Sequence, residues 1–411
     1  MKILYISFFY PPFNTIGGLR AYGQVQALRE FGCEVKVLTS RNQGFEKDKS
    51  SSFSDIDTYY FGSPKSLNTD NTLEKIKFIK NLMKLPKFIN RYLYLLRFLL
   101  IGEEEGWKKE VINNYQELLK GWHPDLIFSS QSPISSHQLA SKISSQINIK
   151  WVAEFRDSWS FNPMAFSHSE GDISSIIMRY LEKKILKNCS LILAATNFIK
   201  DYYERHYDLD TYLLTGGWDL SDTPSKSEPR EESRLKITHL GSMLYGRRSL
   251  MPIIDILNKN SRISDKFYFE FVGRHTSLFQ KELDKGKSKN SLRLKEQVSY
   301  KEAEKIGFNT DILLILMMDS PQEKYTLTGK IFDYIKYHKP ILIVDPFNSE
   351  ASNLINEYKM GHVFKNYKDF EYFLEKSDGI DSFKRINKID RDSFNRSQQI
   401  KKLINFFQSN L

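Results

Sequence analysis

The chain has 411 residues and a formal net charge of +10 at pH 7, with 40% hydrophobic and 14% aromatic residues. This length exceeds a typical single core, so two domains are expected, and the apolar content supports real hydrophobic cores. Two cysteines, Cys33 and Cys189, exclude a disulfide-stabilised scaffold and are predicted to be reduced, buried thiols of a cytosolic protein.

The sequence also bears on targeting signals and on the class of binding partner. No signal peptide is visible, because residues 1–9 form a short predicted strand without a cleavage site, and no uncharged run approaches the length of a membrane span. The positive charge could serve nucleic acid, anionic lipid or phosphorylated substrates. Because no nucleic-acid-binding motif is present, nucleic acid is not the expected partner.

The chain begins with a strand, a glycine loop, a helix and a second strand. Apolar strands are predicted at 2–7 and 34–39, and between them lie Gly17, Gly18 and Arg20. This order is that of a βαβ unit. The two glycines could bind a phosphate through backbone N–H groups or could form a plain turn, and Arg20 could face a ligand or solvent.

Residues 73–100 combine large apolar side chains with seven basic residues and one acidic residue. The basic residues are Lys75, Lys77, Lys80, Lys84, Lys87, Arg91 and Arg97. A basic amphipathic helix of this kind can lie in an anionic membrane interface. The alternative is a pair of ordinary domain helices whose apolar face is core, because Pro86 interrupts a single helix.

The rest of the N-terminal half alternates apolar strands with longer amphipathic segments. Further strands are predicted at 125–129, 150–154, 191–194 and 212–214. Arg156 and Asp157 follow the strand predicted at 150–154. They could form a structural ion pair, or Asp157 could place a carboxylate beside a bound sugar. Trp159 next to them offers an apolar ring on which a sugar could lie.

The C-terminal half repeats this alternation after a polar, proline-containing segment at 220–234, which is predicted to link two domains. Its strands are predicted at 235–240, 267–272, 296–298, 311–316, 340–344 and 362–364. The predicted fold class is therefore α/β, with two Rossmann-like, doubly wound parallel sheets. Loops after parallel strands line binding crevices. One interdomain cleft could therefore be lined by Gly17-Gly18, Arg156-Asp157, Gly241-Ser242 and Gly273-Arg274.

A phosphate-binding feature is predicted at 328–335. Thr328 can cap a helix whose first turn contains Gly329 and Lys330, with Asp333 one turn further on. Backbone N–H groups and the positive end of the helix dipole bind anions, and a lysine adds a point charge. A carboxylate one turn on can accept hydrogen bonds from ribose hydroxyls. The alternative is a capped surface helix before a buried strand.

Taken in order, these segments resemble retaining glycosyltransferases of the GT-B fold, in the large family 4 group, and most of all those that build bacterial surface polysaccharides. The matching segments are 2–20, 28–39, 124–133, 154–159, 182, 215–219, 239–242, 271–273 and 328–344. Their order and spacing together carry the resemblance.

The resemblance implies a domain organisation. An acceptor-side domain would span 1–219, a linker 220–234 and a nucleotide-sugar-binding domain 235–389, with a final helix at 390–411 packing back on the first domain. It also implies a cytoplasmic protein that acts at the inner face of the cell membrane, to which 73–100 could attach it peripherally.

Site residues are implied in the same way. Asp157, Arg247 and Lys330 would be catalytic. The donor would be bound by Gly17, Gly18, Gly241, Ser242, Arg248, Gly273, Gly329 and Asp333. The acceptor side would contain Arg20, Arg156 and Trp159.

The implied reaction moves a sugar from a nucleotide diphosphate sugar, foremost a UDP-sugar, to a glycan or lipid-linked acceptor with retention and without a metal or other cofactor. In the commonest form of the family, two glutamates are spaced E-x7-E. Here Asp333 occupies the second position and Tyr325 the first, so the group that contacts the donor sugar is left open between a rearranged Glu323 and another residue.

Two other functions stay open: a GT-B nucleotide-sugar epimerase or glycan phosphorylase, and a non-catalytic GT-B partner of an active transferase. An epimerase usually has catalytic acids and histidines beside the sugar, and none stands out in this sequence. The altered first acidic position would suit the partner. Donor hydrolysis without an acceptor would distinguish an enzyme from such a partner.

Overall fold

A computed structural model describes residues 1–13, 15–43, 53, 57–62, 105–161, 171, 173–219, 233–243, 249–275, 277–325, 327–383 and 391–411. The described chain divides into two compact units. The first comprises Met1–Thr215 and Arg396–Leu411, and the second comprises Gly216–Asn395. Each unit is built on its own parallel sheet, so the predicted α/β fold class with two Rossmann-like sheets is confirmed.

The first unit contains a seven-stranded sheet in the order β3-β2-β1-β4-β5-β6-β7, and every pairing is parallel. Its strands are β1 Lys2–Ser7, β2 Glu34–Ser40, β3 Thr58–Phe61, β4 Leu126–Ser130, β5 Trp151–Phe155, β6 Leu191–Ala194 and β7 Thr211–Leu213. β1 pairs with β2 on one side and with β4 on the other. The strand order reverses there, and ligands of doubly wound sheets bind beside such a switch point.

The second unit contains a six-stranded sheet in the order β10-β9-β8-β11-β12-β13, again with every pairing parallel. Its strands are β8 Leu235–Leu240, β9 Phe267–Val272, β10 Leu292–Lys295, β11 Ile312–Leu316, β12 Ile341–Val344 and β13 Gly361–Phe364. Its switch point lies between β8 and β11. The central strand β11 is buried along its whole length, as expected where helices cover both faces of a sheet.

Helices connect these strands. In the first unit they are α1 Ile16–Glu30, α2 Glu105–Leu118, α3 Ser135–Ile147, α4 Ile173–Ile185 and α5 Asn197–His206. In the second unit they are α6 Met251–Lys259, α7 Ser261–Lys266, α8 Ser277–Lys285, α9 Tyr300–Phe308, α10 Lys330–Lys336, α11 Glu350–Glu357 and α12 Tyr367–Lys376. The last helix, α13 Arg396–Asn410, returns to the first unit. Among the described helices, none is both long and apolar enough to cross a membrane.

Helix α13 joins the core of the first unit on the same face of the sheet as α1. The apolar residues of α13 lie in one buried cluster with those of α1 and of strands β1, β2 and β4. The members from α13 are Ile400, Leu403, Ile404 and Phe407, and those from α1 are Ala21, Val25, Ala27 and Leu28. Because each such side chain contributes about 1.5–3 kcal/mol when fully buried, α13 is an integral part of this domain.

Some predicted elements differ from the structure. The short strand predicted at 296–298 is wrong, because the edge strand is β10, whose alternating sequence Leu-Arg-Leu-Lys buries only one side. Strand β3 was not predicted, and it is a half-buried edge strand of only four residues. Both cysteines are free and buried, as predicted. The basic segment 73–100 and most of the predicted linker 220–234 lie outside the described residues.

Candidate active site

In the first unit, the glycine loop after β1 leads into α1 with a well-formed cap. Thr15 has an extended conformation, and its Oγ1 accepts a hydrogen bond of 2.9 Å from the N–H of Gly18. A threonine at this position satisfies one of the N–H groups that the first turn of a helix leaves without an intrahelical partner. The predicted Gly17 and Gly18 therefore lie in the first turn of a 15-residue helix, at its positive end.

Arg156 places a guanidinium group against this helix start. A methyl group added to Gly17 would lie 2.2 Å from Nη1 of Arg156, so the two residues are in direct contact. Two hydrogen bonds to the loop after β4 hold the guanidinium: its Nε donates to the carbonyl oxygen of Gln131, and its Nη2 donates to that of Ser132 at 3.3 Å. A cation and the first turn of α1 thus lie together at the carboxyl edge of the first sheet, an arrangement suited to an anion.

Behind this edge lies a buried hydrogen-bond network centred on Glu154 at the end of β5. Oε1 of Glu154 accepts from Arg20 Nε at 2.9 Å and from Gln24 Nε2 at 2.6 Å, and Oε2 accepts from Ser130 at 2.6 Å. Tyr5 extends the network by donating to Gln24. Burial raises the pKa of Glu154, but Arg20, Ser130 and neighbouring groups outweigh it, so the net pKa lies below the ordinary value.

This network contains Arg20, one of the residues predicted for the acceptor side. Arg20 also donates to the carbonyl oxygen of Leu214 at 2.9 Å, and its side chain is only 12% exposed. Its charge is therefore engaged inside the protein and ties α1 to β5 and to the segment after β7. Trp159 belongs to the hydrophobic core and is 8% exposed, which leaves little of its ring for a sugar.

Asp157 follows Arg156 and reaches the surface. The surrounding protein partly removes its carboxylate from water and raises its pKa, while Arg156 acts in the opposite direction. The loop continues into Ser160, whose hydroxyl donates to the buried Glu182 on α4. This hydrogen bond to Glu182 anchors the loop that carries Asp157.

In the second unit, two glycines lie against each other at the ends of β8 and β9. Gly241 has φ +133° and Gly273 has φ +144°, a region that side chains rarely adopt. A methyl group on Gly273 would lie 2.6 Å from the carbonyl carbon and oxygen of Gly241. The N–H of Gly241 donates to Val272 O at 2.7 Å, and that of Met243 donates to Arg274 O at 2.7 Å. The absence of side chains therefore allows the ends of β8 and β9 to pack closely at this edge.

Lys330, the first residue of α10, lies across Gly241. A methyl group on Gly241 would be 2.3 Å from Cε and 2.5 Å from Nζ of Lys330. The same Nζ lies 3.0 Å from Nε2 of His239, which is fully buried near the end of β8. Nδ1 of that histidine lies 2.9 Å from the carbonyl oxygen of Leu314 on β11. The predicted lysine is therefore fixed at the switch point of the second sheet.

Tyr334 holds α10 to the same two strands. Its hydroxyl accepts from the N–H of Leu240 at 2.8 Å and donates to Leu314 O at 3.3 Å. Lys330 and Tyr334 are one turn apart, so they lie on the same face of the helix. The predicted cap by Thr328 is wrong, because the helix is preceded by Gly329 in the helical region and has no side-chain cap. Asp333 lies in the same helix and is half-buried.

The remaining predicted residues are placed as follows. Ser242 is exposed beside Gly241, whereas Arg247 and Arg248 lie outside the described residues. Glu323, the candidate replacement for the missing first acidic residue, is 1% exposed. The described residues contain no group of three or more His, Cys, Asp or Glu side chains that could hold a metal ion.

Sequence reasoning missed two residues of this arrangement. His239 and Tyr334 were included only within the segments 239–242 and 328–335, without a role of their own. A histidine near the end of the predicted strand at 235–240 and an aromatic hydroxyl one turn after Lys330 were the available signals. Both become meaningful only once β8, β11 and α10 are known to meet.

Comparison with known proteins extends these observations. No protein-family model matches the chain, and no curated protein sequence matches it. Among solved structures, the apo form of the lipopolysaccharide outer core galactosyltransferase WaaB aligns with a TM-score of 0.60 at 12% identity, covering 100% of both chains. HepE from Anabaena in complex with UDP aligns at 0.62 and 11%, again over 100% of both chains.

A third similar structure has a different activity in its name. UDP-GlcNAc 2-epimerase from Methanocaldococcus jannaschii aligns with a TM-score of 0.55 at 13% identity, over 100% of both chains. Identities this low establish the fold alone. The chain therefore has the GT-B fold, with two Rossmann-like α/β units that each carry a fully parallel sheet.

Proposed function

We propose that this protein is a glycosyltransferase that transfers a sugar from a nucleotide diphosphate sugar, with a UDP-sugar as the first candidate, to a glycan or lipid-linked acceptor in cell-surface polysaccharide synthesis. The transfer would retain the anomeric configuration and would need no metal. It would take place at the cytoplasmic face of the membrane, and attachment through 73–100 stays a prediction.

The observation that carries this proposal is the position of Lys330 over Gly241. A nucleotide diphosphate leaves with growing negative charge, which fixed cations and backbone N–H groups stabilise where it forms. The ammonium of Lys330 is held 3.0 Å from His239 at the switch point of the second sheet. Ligands of such sheets bind beside this point, which supports a diphosphate site at the lysine. We assign Lys330 as the catalytic cation.

The first unit supports the proposal independently. Arg156 and the start of α1 together present a guanidinium and helix N–H groups at the carboxyl edge of its sheet. Asp157 beside them offers an exposed carboxylate with a raised pKa to a sugar hydroxyl. We assign Asp157 and Arg156 to the sugar and acceptor side, and Gly17 and Gly18 to the donor phosphates.

The proposal can be tested by incubating the purified protein with a panel of UDP-, GDP- and ADP-sugars. Specific binding would raise the melting temperature in a concentration-dependent manner. Release of free nucleotide from one donor, faster with a glycan or lipid-linked acceptor, is the expected result. A nucleotide sugar recovered with an altered sugar and without free nucleotide would instead identify an epimerase. Stabilisation by no member of the panel would contradict nucleotide-sugar use.

Asp333 gives a first prediction about the donor. If its carboxylate accepts hydrogen bonds from the ribose hydroxyls, Asp333→Ala should raise the donor KM by about 10-fold, with a smaller increase for Asp333→Asn, because an amide keeps part of the acceptor capacity. Competition assays with UDP and its dideoxyribose analogue should show discrimination by the parent protein. Full discrimination by Asp333→Ala would place the ribose contact elsewhere.

Gly17 gives a second prediction. An alanine here would displace the guanidinium of Arg156, with which its methyl group would overlap. Because the obstacle is the end of a flexible side chain, the free energy of unfolding should fall by less than about 1 kcal/mol. The donor KM should nevertheless rise by about 10-fold, since the cation leaves the helix start.

Gly106→Ala is the matched control for Gly17→Ala. Gly106 lies in α2, and an added methyl group there has no atom within 4 Å. This variant should keep both the melting temperature and the donor KM of the parent protein. Equal donor KM values for Gly17→Ala and the parent would remove Gly17 from the donor site.

A further inference from the structure

His239 makes two hydrogen bonds whose directions can be assigned. It lies near the end of β8, is fully buried, and has Nδ1 at 2.9 Å from the carbonyl oxygen of Leu314. A carbonyl oxygen only accepts, so Nδ1 carries the proton and donates. In the neutral imidazole, Nε2 then has a free lone pair, and the ammonium of Lys330 donates to it at 3.0 Å.

The lysine is thereby held along its whole length. Its Cε and Nζ lie where a side chain on Gly241 would stand, so the chain crosses the end of β8 in contact with backbone. Tyr334, one turn further along α10, bonds to Leu240 and Leu314 and fixes the helix from which the lysine extends. A free lysine side chain samples many rotamers, and these contacts restrict that freedom before any ligand is present.

We propose that His239 is a positioning residue that holds the ammonium of Lys330 over Gly241 in advance of donor binding. The hydrogen bond to His239 directs the ammonium of Lys330 to one position at the end of β8. A cation already in place does not have to reorganise when negative charge develops on the leaving diphosphate. The diphosphate part of this inference rests on the proposed function, whereas the hydrogen bond between His239 and Lys330 does not.

A matched pair of variants separates the two bonds of His239. In His239→Asn, the amide reaches the position of Nδ1 and can donate to Leu314, but it is too short to meet Lys330. In His239→Gln, the longer side chain brings an amide oxygen near the position of Nε2, where it can accept from Lys330. If His239 has only a structural role through Leu314, asparagine should be the better substitute. If His239 positions Lys330, glutamine should be the better substitute.

The first measurement needs no donor. The rate at which acetic anhydride modifies Lys330 is followed by mass spectrometry in the free protein, with the exposed Lys324 as internal reference. Lys330 should react several-fold faster in His239→Asn than in the parent and at nearly the parental rate in His239→Gln. Equal rates in all three proteins would overturn the proposal, whether or not the protein binds nucleotides.

The second measurement is the affinity for UDP by calorimetry. His239→Asn should weaken UDP binding by ~10-fold, as expected for loss of a hydrogen bond to a charged group, and His239→Gln by less than ~3-fold. In a Lys330→Met background, His239→Asn should have no further effect, because its action passes through the lysine. An equal loss in that background would contradict positioning. If the parent protein binds no UDP, the proposed function is in doubt and the acetylation rates alone decide the role of His239.

Discussion

Replacing Lys330 with alanine is expected to lower kcat/KM for the nucleotide-sugar donor by about 10²–10³-fold, the usual loss when a group that stabilises developing charge is removed. The ammonium lies over Gly241 at the switch point of the second sheet, where ligands of such sheets bind. The methylene groups of Lys330 also fill the space above this glycine. Lys330→Met keeps most of that packing, so it should lose activity to a similar degree with less effect on stability.

Lys324→Ala is the control for this experiment. Lys324 is an exposed lysine of the same unit, in the short turn before α10. Its removal changes the net charge equally but should leave kcat/KM within about 2-fold, since an isolated exposed charge contributes little. Parental turnover in Lys330→Ala with every accepted donor would show that the leaving diphosphate is stabilised elsewhere.

The second large effect concerns stability. Glu154→Ala is expected to lower the free energy of unfolding by about 3–5 kcal/mol, because it leaves the guanidinium of Arg20 in a largely buried site without its carboxylate. Glu117→Ala is the matched control, since Glu117 forms an ion pair with Lys120 in which both side chains are about four-fifths exposed. It should change the free energy by less than about 1 kcal/mol. Urea unfolding of both variants tests this difference.

The pH dependence of these effects has a defined sign. The pKa of Glu154 is lower in the folded protein than its ordinary value, so its stabilisation is present above pH 4.5 and is lost as the pH falls through the folded pKa. The pKa of Glu182 is raised, because burial disfavours its charged form more than the hydroxyls of Ser160, Tyr203 and Tyr207 favour it. Its contribution is therefore greatest below pH 4.5 and decreases as the pH rises.

Two amide variants should consequently show opposite trends. The cost of Glu154→Gln should be larger at pH 7 than at pH 4, whereas the cost of Glu182→Gln should be larger at pH 4 than at pH 7. Unfolding curves at the two pH values measure both. Parallel trends would mean that the arginine beside Glu154 does not decide its charge state.

Much of the fold follows from local patterns. Buried parallel strands such as Ile312–Leu316 are continuous apolar runs, and their alternation with amphipathic helices defines two doubly wound sheets. Edge strands are harder to predict, because one side is exposed and the apolar run is broken. This is why β10 was placed a few residues too late, whereas β3 was missed as a half-buried edge strand of only four residues.

The candidate site could be predicted only in part for a related reason. Lys330 and the glycines lie in local motifs, and the resemblance placed them correctly at strand and helix ends. Their partners come from distant parts of the chain: His239 precedes Lys330 by 91 positions, and Glu154 is separated from Arg20 by 134. Only the strand order brings such residues together. For the same reason, the sequence did not predict the hydrogen bond between Arg20 and Glu154 or the burial of Trp159.

The first unit is assembled from two separate stretches of chain, with residues 216–395 inserted between them. During synthesis on a ribosome, the complete second unit emerges before α13, so it can fold while the first unit still lacks its last helix. Until then, the buried cluster that α13 shares with α1 and the sheet lacks its α13 side chains. Nascent chains would be most exposed to aggregation and chaperone capture in this interval. Premature termination before residue 396 should therefore yield a protein whose second unit is folded and whose first unit is not.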